Sequence, residues 1–373
     1  MICAVGDVAP RRTDPATIFA ATASSLRSAD LCFGQMECPV SDRGSPSPHA
    51  RLAMRTGPEV APVLREAGFD VLSIAGNHAL DFGTVALTDT LTHLGGAGIA
   101  LCGGGANLAE AQQPALLEAA GKRVAVLAYS SILPAGYAAD ASRPGCAPLR
   151  AHTQYEQIEH DQPGTPPRIH TFADRADLAA MEADIRAARA SADAVLISIH
   201  WGIHFVRAEV AGYQREIARA AIRAGADAIL GHHPHLLKGV EFLDGKPVFY
   251  SLGNFAIEQP SAFDENIAAH ESFAHLQTLS KGWQPKAKYQ TPPETRHSVI
   301  AWLDFAGESG PSVQLQPCRI DDDSVPQPLS PGAPEFAEWL AYVTAITAEA
   351  GLNSDYAVSA NGKVTCAPAP RAG

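Results

Sequence analysis

The residues best suited to chemistry sit in short polar runs, each at the end of an apolar segment. These runs are Gly6-Asp7, Met36-Glu37-Cys38, Gly76-Asn77-His78-Ala79-Leu80-Asp81, His200-Trp201-Gly202-Ile203-His204 and Gly231-His232-His233-Pro234-His235. Carboxylates and imidazoles in this number form a metal-ligand inventory. Neutral imidazole suits zinc, copper, iron and nickel, and together with carboxylates it suits manganese. A divalent ion polarises a carbonyl or phosphoryl oxygen and lowers the pKa of water to about 7. His78 has the side chain for general acid or base work near neutral pH. Asn, His and Asp packed this closely after a buried strand are costly to hide without partners. Two blander readings exist: Gly6-Asp7 as a turn, and Asn77 as a helix cap.

The elements that must position these residues follow from hydrophobic pattern. Ile2 to Val5, Leu31 to Gln35, Phe69 to Ala75, Ile99 to Cys102, Arg123 to Tyr129, Val195 to Ile199 and Ala226 to Leu230 are short apolar runs, expected as buried strands. Helices are expected at 15–28, from Pro58-Glu59 to Ala67, and at 84–97, 174–190 and 209–224, the last stopped by Gly225. Strand, helix and strand between Val195 and Leu230 make a βαβ unit. Both strand ends then deliver histidines to one sheet edge, where open α/β sheets bind ligands. Gly239 to Tyr250 is a hairpin turning at Asp244-Gly245. His297 to Phe305 and Ser312 to Cys318 alternate as closing strands. Gly103-Gly104-Gly105 lacks the spacing of a phosphate loop and reads as a turn.

Two irregular stretches, about 130–168 and 258–295, read as long inserts that cover a site and select its substrate. His152 and His160 in the first are read as surface groups. Lys281, Lys286 and Lys288 in the second are read as a solvated basic face, with an anionic ligand as the other reading. The expected organisation is one α/β domain over residues 1–320. After it come a Pro-rich linker opening at Asp321-Asp322-Asp323, a helix from Glu335 to Ala348 and a disordered tail to 373. The net charge of -12 argues against nucleic acid or an anionic membrane as partner. Seven cysteines, an odd number without CxxC, exclude a zinc ribbon and speak for buried thiols. Met1 runs straight into a strand, so the expectation is a cytoplasmic protein without a membrane partner.

In this order, Gly6-Asp7-Val8, the Gln35–Pro39 segment, the Gly76–Gly83 run, His200-Trp201-Gly202, the helix bearing Gln214, Gly231–His235 and Tyr250–Phe255 resemble the CapA-like family of poly-γ-glutamate capsule synthesis. That family is a branch of the calcineurin-like metallophosphoesterases. The match covers residues 2–255. The resemblance implies a four-layer αββα sandwich holding one or two divalent ions, manganese, zinc or iron, at strand ends. It implies Asp7, Glu37, Asn77, His200 and two of His232, His233 and His235 as metal ligands, with Glu37 as the bridging carboxylate. It implies that His78, oriented by Asp81, contacts substrate and protonates the leaving group. The chain departs from the pattern in four places. Asp7 is followed by Val8-Ala9 rather than x-His, and Gln35 replaces an Asn. His204 stands where a Glu is usual, as an extra ligand or acid/base, and the last motif has one residue more than Gly-His-x-His.

The expected function is a metal-dependent hydrolase of an amide, lactam or phosphoester bond in a small polar molecule or peptide. Two other classes compete. A metal-polarised carbonyl also acidifies the neighbouring Cα–H, which gives a peptide epimerase, a chemistry to which some CapA-like proteins are linked. The family name implies a non-catalytic accessory protein of poly-γ-glutamate synthesis. Substrate and oligomeric state are not encoded in any motif.

Overall fold

Apolar β-branched runs form the strands of two large sheets, and Ala-rich amphipathic runs form helices between them, making a mixed α/β protein. The computed structural model describes residues 1–161, 164–260, 263, 265, 270–307 and 310–370. In the ten-stranded sheet, Ile2–Ala9, Leu31–Met36, Val71–Ser73 and Ala100–Cys102 run parallel. Beyond Ile2–Ala9 the sheet continues antiparallel through His297–Asp304, Ser312–Ile320, Val364–Pro368 and Ser354–Val358. In the six-stranded sheet, Lys122–Ser130, Ala194–His200, Ala228–His232 and Lys246–Phe249 are parallel. Antiparallel strands Val240–Leu243 and Ala115–Ala119 close its edges.

Period-two alternation decides what each face of the six-stranded sheet meets. Val126, Leu196 and Leu230 share a core with Val5 and Phe33 of the ten-stranded sheet. Their neighbours Leu127, Ile197 and Ile229 pack on the other side, against Met181 and Ile185 of helix Arg175–Arg189 and Ile217 and Ala221 of helix Gly212–Ala224. Fully burying each such side chain stabilises the fold by roughly 1.5–3 kcal/mol. Helix Gly212–Ala224 opens with the side chain of Gln214 accepting from Ala211 N at 2.9 Å and ends at left-handed Gly225. At the site, Gly6 and Gly231 are needed for close approach. A Cβ at Gly6 would lie 1.9 Å from Gly253 O, and one at Gly231 would lie 2.4 Å from Tyr250 O.

The expected helix over 15–28 is instead a 3-10 turn, Pro15–Phe19, and a short helix, Ala23–Leu26. Pro15, Thr17, Ile18 and Thr22 give that stretch poor helix propensity. The first insert leads into a hairpin, Ala151–Glu156 with Arg168–Ala173, which is exposed on both faces, Tyr155, Ile169 and Phe172 included, and so lacks the one-sided burial that makes a strand legible; residues 162 and 163 lie outside the described residues. The second insert carries helix Glu271–Leu279, and its residues 261, 262, 264 and 266–269 lie outside them too. The tail is not disordered through residue 368, because strands Ser354–Val358 and Val364–Pro368 extend the ten-stranded sheet. The acidic run is solvent-exposed as expected, with Asp322 pairing with Arg296 at 2.5 Å and Asp323 with Lys288 at the surface. The helix before the tail, Pro334–Glu349, and the hairpin turn at Asp244-Gly245 match expectation. All seven cysteines are buried and free. Among the described residues no helix is long and apolar enough to cross a membrane.

Helix Pro334–Glu349 docks partly through Tyr342, whose ring stacks on His297 with centroids 4.2 Å apart. Burial first, then Arg319 and Arg207, lowers the His297 pKa to about 4. In the unfolded chain a histidine titrates near 6.5. Between these values the unfolded state binds the extra proton, so stability is lost progressively as pH falls from about 6.5 to about 4 and the full loss persists below that. At pH 5 the cost is about 1–2 kcal/mol. Urea titrations at pH 8 and pH 5 should therefore show a smaller acid-induced loss in His297→Gln than in the parent protein. An equal loss in both would refute the assignment.

Candidate metal centre

The ten-stranded sheet delivers acids and amides to the centre. Asp7 stands in register with Gln35 on one side and Asn254 on the other. Glu37 follows the strand Leu31–Met36 and is held by its N donating to Val8 O at 2.9 Å. Asn77 and His78 lie in the turn beyond Val71–Ser73. From the six-stranded sheet come His200 and His232, the last residues of adjacent parallel strands and direct register partners. The backbone then turns through left-handed conformations at His233 (φ 93) and His235 (φ 57). For non-glycine residues each costs of order 1–3 kcal/mol, a strain characteristic of functional sites.

Asp7, Glu37 and His200 are all buried, and they present one ligand atom each within 4.8 Å of one another. His232 Nδ1 lies 3.2 Å from Asp7 Oδ1 and His235 Nδ1 lies 3.1 Å from Asp7 Oδ2. Glu37 lies between the two groups of histidines, 3.8 Å from His235 Nε2 and 3.8 Å from His200 Nδ1. These approaches lack hydrogen-bond geometry. Both oxygens of Asp7 and Glu37, both nitrogens of His232 and Nδ1 of His200 are buried without a hydrogen-bond partner. So many orphaned polar atoms facing one another would cost several kcal/mol. A divalent ion would satisfy them, and the donor set is of the kind that suits zinc, manganese or iron.

Electrostatics support the same fit. Burial, then the charges of Asp7 and Asp81, pushes Glu37 well above the usual carboxylate range. Burial also disfavours the Asp7 anion, but His232 and His235 outweigh it and hold the group well below that range. Burial and its neighbour His233 keep His200 well below the ordinary histidine value, hence neutral and able to donate a lone pair. Two neighbouring carboxylates driven apart in this way would be relieved by a shared cation.

Two asparagines orient the imidazoles. Asn77 Oδ1 lies 2.7 Å from His200 Nε2, which leaves Nδ1 facing Glu37. Asn254 Oδ1 lies 2.7 Å from His235 Nδ1, which leaves Nε2 facing Glu37. An amide oxygen can only accept, so each ring nitrogen beside it carries the proton and the opposite nitrogen is the free donor to a metal. Asn77 therefore acts on its histidine in this arrangement. Sequence reading passed over Asn254, although it lies in a motif quoted for the resemblance.

His78 borders an open cleft of about 700 Å3. Its Nδ1 lies 2.6 Å from Asp81 Oδ2. Asp81 also accepts from Met54 N at 2.7 Å and from the Tyr137 hydroxyl at 3.1 Å. Three donors on one carboxylate place the His78 proton on Nδ1 and leave Nε2 free to exchange a proton with substrate. His204 and His233 stack with ring centroids 4.7 Å apart on the cleft wall, and His204 also stacks on Phe205 at 4.2 Å. Burial lowers the pKa of both, that of His233 to about 3, so both are neutral surfaces. His232 and His235 approach the carboxylates; His233 lies beside His200, with centroids 5.0 Å apart.

Besides the turns that carry the site residues, the cleft is walled by segments 49–54 and 131–134 and, among the described residues of the second insert, by Gln259, Phe263, Ser272, Phe273, His275 and Leu276. Both expected inserts thus contribute, and the first also supplies Tyr137. His152 and His160 are exposed and outside the cleft, with His152 on Asp174 at 3.1 Å. Lys281, Lys286 and Lys288 do not line it either. Its cation is Arg51, which carried no signal in the sequence.

Residues 1–259 match the family model described as bacterial capsule synthesis protein PGA_cap. Three curated proteins show the range of similarity. The PGA biosynthesis protein CapA of Bacillus subtilis is 30% identical over 245 residues, covering 65% of this chain and 57% of that protein. A probable polyglutamine synthesis accessory protein of Mycobacterium tuberculosis is 31% identical over 248 residues, covering 65% and 58%. The capsule biosynthesis protein CapA of Bacillus anthracis is 27% identical over 245 residues, covering 65% and 54%. The aligned region is thus somewhat over half the length of each of these relatives.

Proposed function

The chain belongs to the family of bacterial capsule synthesis proteins described by PGA_cap, and from that premise we propose that it is a metal-dependent hydrolase. Its substrate is an amide, lactam or phosphoester in a small polar molecule or peptide. One observation carries the reading: the buried, unpartnered oxygens and nitrogens of Asp7, Glu37, His200 and His232 face one another behind a cleft bordered by the His78–Asp81 pair. Two sheets with strand ends meeting at this point and helices packed outside also support the four-layer arrangement of metallophosphoesterases. A cytoplasmic location is part of the same proposal.

In this reading Asp7, Glu37, His200, His232 and His235 hold one or two divalent ions. Bound there, the metal polarises the scissile carbonyl or phosphoryl group and acidifies water. The chain's own residues do the rest. Asn77 and Asn254 keep the two imidazoles in the ligating tautomer. Asp81 fixes His78, whose Nε2 takes or gives the proton at the leaving group. His204, His233 and Phe205 shield one wall from water.

A second reading, an accessory protein of polymer synthesis, is favoured by the names of the relatives. Elemental mass spectrometry of the purified protein, combined with turnover of p-nitrophenyl phosphoesters and anilides, tests the choice. One or two transition-metal ions per chain are expected, with turnover abolished by chelation and restored by manganese or zinc. Metal-free protein, or loaded protein inert on every substrate, would defeat the hydrolase reading. Deuterium uptake at Cα from heavy water without bond cleavage would replace it with an epimerase.

A further inference from the structure

Resting on that reading of the cleft, we infer that its ligand carries a single carboxylate held by Arg51 and an apolar group laid against the second insert. Arg51 lines the cleft together with the site histidines. Its guanidinium lies over the Phe273 ring, 4.6 Å from the centroid, and Nη1 donates to Ser272 Oγ at 3.0 Å. Stacking fixes the plane of the guanidinium and leaves donors along its edge, the geometry that grips a carboxylate with two parallel bonds.

Charge along the cleft points to one anionic group. Among the described lining residues the other titratable side chains are six histidines and Asp81. Asp81 is buried and already accepts from His78, Met54 and Tyr137. Arg51 is thus the one permanently charged cation among the described cleft residues. Arg51 is exposed at the cleft and pairs with no acid among the described residues, so a carboxylate arriving there meets no competing anion. A polyanion would need a row of cations, and the lysines of the second insert lie elsewhere.

The apolar half has a place close to that guanidinium. Ile132 and Leu133 of the first insert and Leu276 of helix Glu271–Leu279 are half-buried and face the cleft, with Phe273 behind. A hydrophobic side chain covering them gains roughly 25 cal/mol per Å2 removed from water. The ligand class is therefore an acylated apolar amino acid, or a peptide ending in one with its carboxylate free.

Calorimetric titration of the metal-loaded protein with N-acetyl-phenylalanine, N-acetyl-phenylalaninamide and N-acetyl-glycine tests the inference. The acid should bind about 10- to 100-fold tighter than the amide, the range for a charge-assisted pair. It should also bind at least about 10-fold tighter than the glycine analogue, from the buried ring. In Arg51→Gln the acid should fall to the affinity of the amide, with the melting temperature and the amide's affinity unchanged. In Arg51→Lys only part of the preference should return, because the fork is lost. Equal binding of acid and amide, no binding of the acid, or a preference surviving in Arg51→Gln would overturn it; the last would place the anion on the metal. Binding is read without turnover, so a bound acid that is never cleaved counts against the hydrolase reading alone.

Discussion

Asp7→Ala is expected to leave a folded protein that no longer holds metal. Asp7 is fully buried at the seam of the two sheets, and its oxygens lie 3.1–3.2 Å from two imidazoles without hydrogen-bonding to either. Its backbone is independent of its side chain: the N donates to Gly253 O at 3.0 Å, and the strand pairs on both sides. The substitution therefore removes a ligand without removing a ladder bond. Even changes to residues behind metal ligands cost 10–100-fold in affinity or activity, so loss of a ligand itself should lower turnover by more than about 100-fold. Metal content should fall below about one-tenth of the parent value. The separating control is melting temperature with and without added manganese or zinc. Binding to the native state alone raises stability by RT ln(1 + [L]/Kd), about 2.7 kcal/mol at 100 Kd. The parent should therefore melt several degrees higher with metal, and Asp7→Ala should not shift. A variant that keeps both its metal and its turnover would remove Asp7 from the centre.

His78→Ala should behave in the opposite way, keeping the metal and losing the chemistry. His78 touches Asp81, not the carboxylates of the centre, and its ring is partly open to the cleft. Positioned general acid–base groups contribute about 10²–10⁴ in rate, and the expected fall in kcat is of that size at unchanged metal content. KM should change less than kcat, since proton transfer is a transition-state interaction. Asp81→Asn should reproduce part of the loss by releasing the His78 tautomer, with Tyr137 and Met54 left to hold the amide. Unchanged kcat in His78→Ala would demote the pair to a structural role.

Much of the site was legible because parallel sheets place function at strand ends. An apolar run of five or six residues followed by Asp, Glu, Asn-His or His is a local pattern, visible without knowing what lies opposite. Glu37, His200 and His232 each end or directly follow such a run, whereas the first strand continues past Asp7 to Ala9, and the structure brings all four together. His78 and Asp81 were legible as a pair for another local reason, three residues in one turn. The hairpin at Asp244-Gly245 needed only its two positive φ angles.

Everything that depends on pairing across the chain escaped that reading. The tail strands Ser354–Val358 and Val364–Pro368 are short, polar and Pro-flanked, and only the exposed edge of Ser312–Ile320 makes them strands. Asn254 became a partner of His235 through its register against Asp7, and that register requires Gly6 to lie against Gly253. Arg51 and Tyr137 sit in segments with no periodicity, and folding alone brings them to the cleft and to Asp81. The sequence by itself determined which side chains can ligate and on which strand ends they ride, because those facts have the range of one element. Which nitrogen faces the carboxylates, which amide holds it there and what charge lines the cleft belong to the tertiary structure, because contacts of that kind join residues more than 200 positions apart.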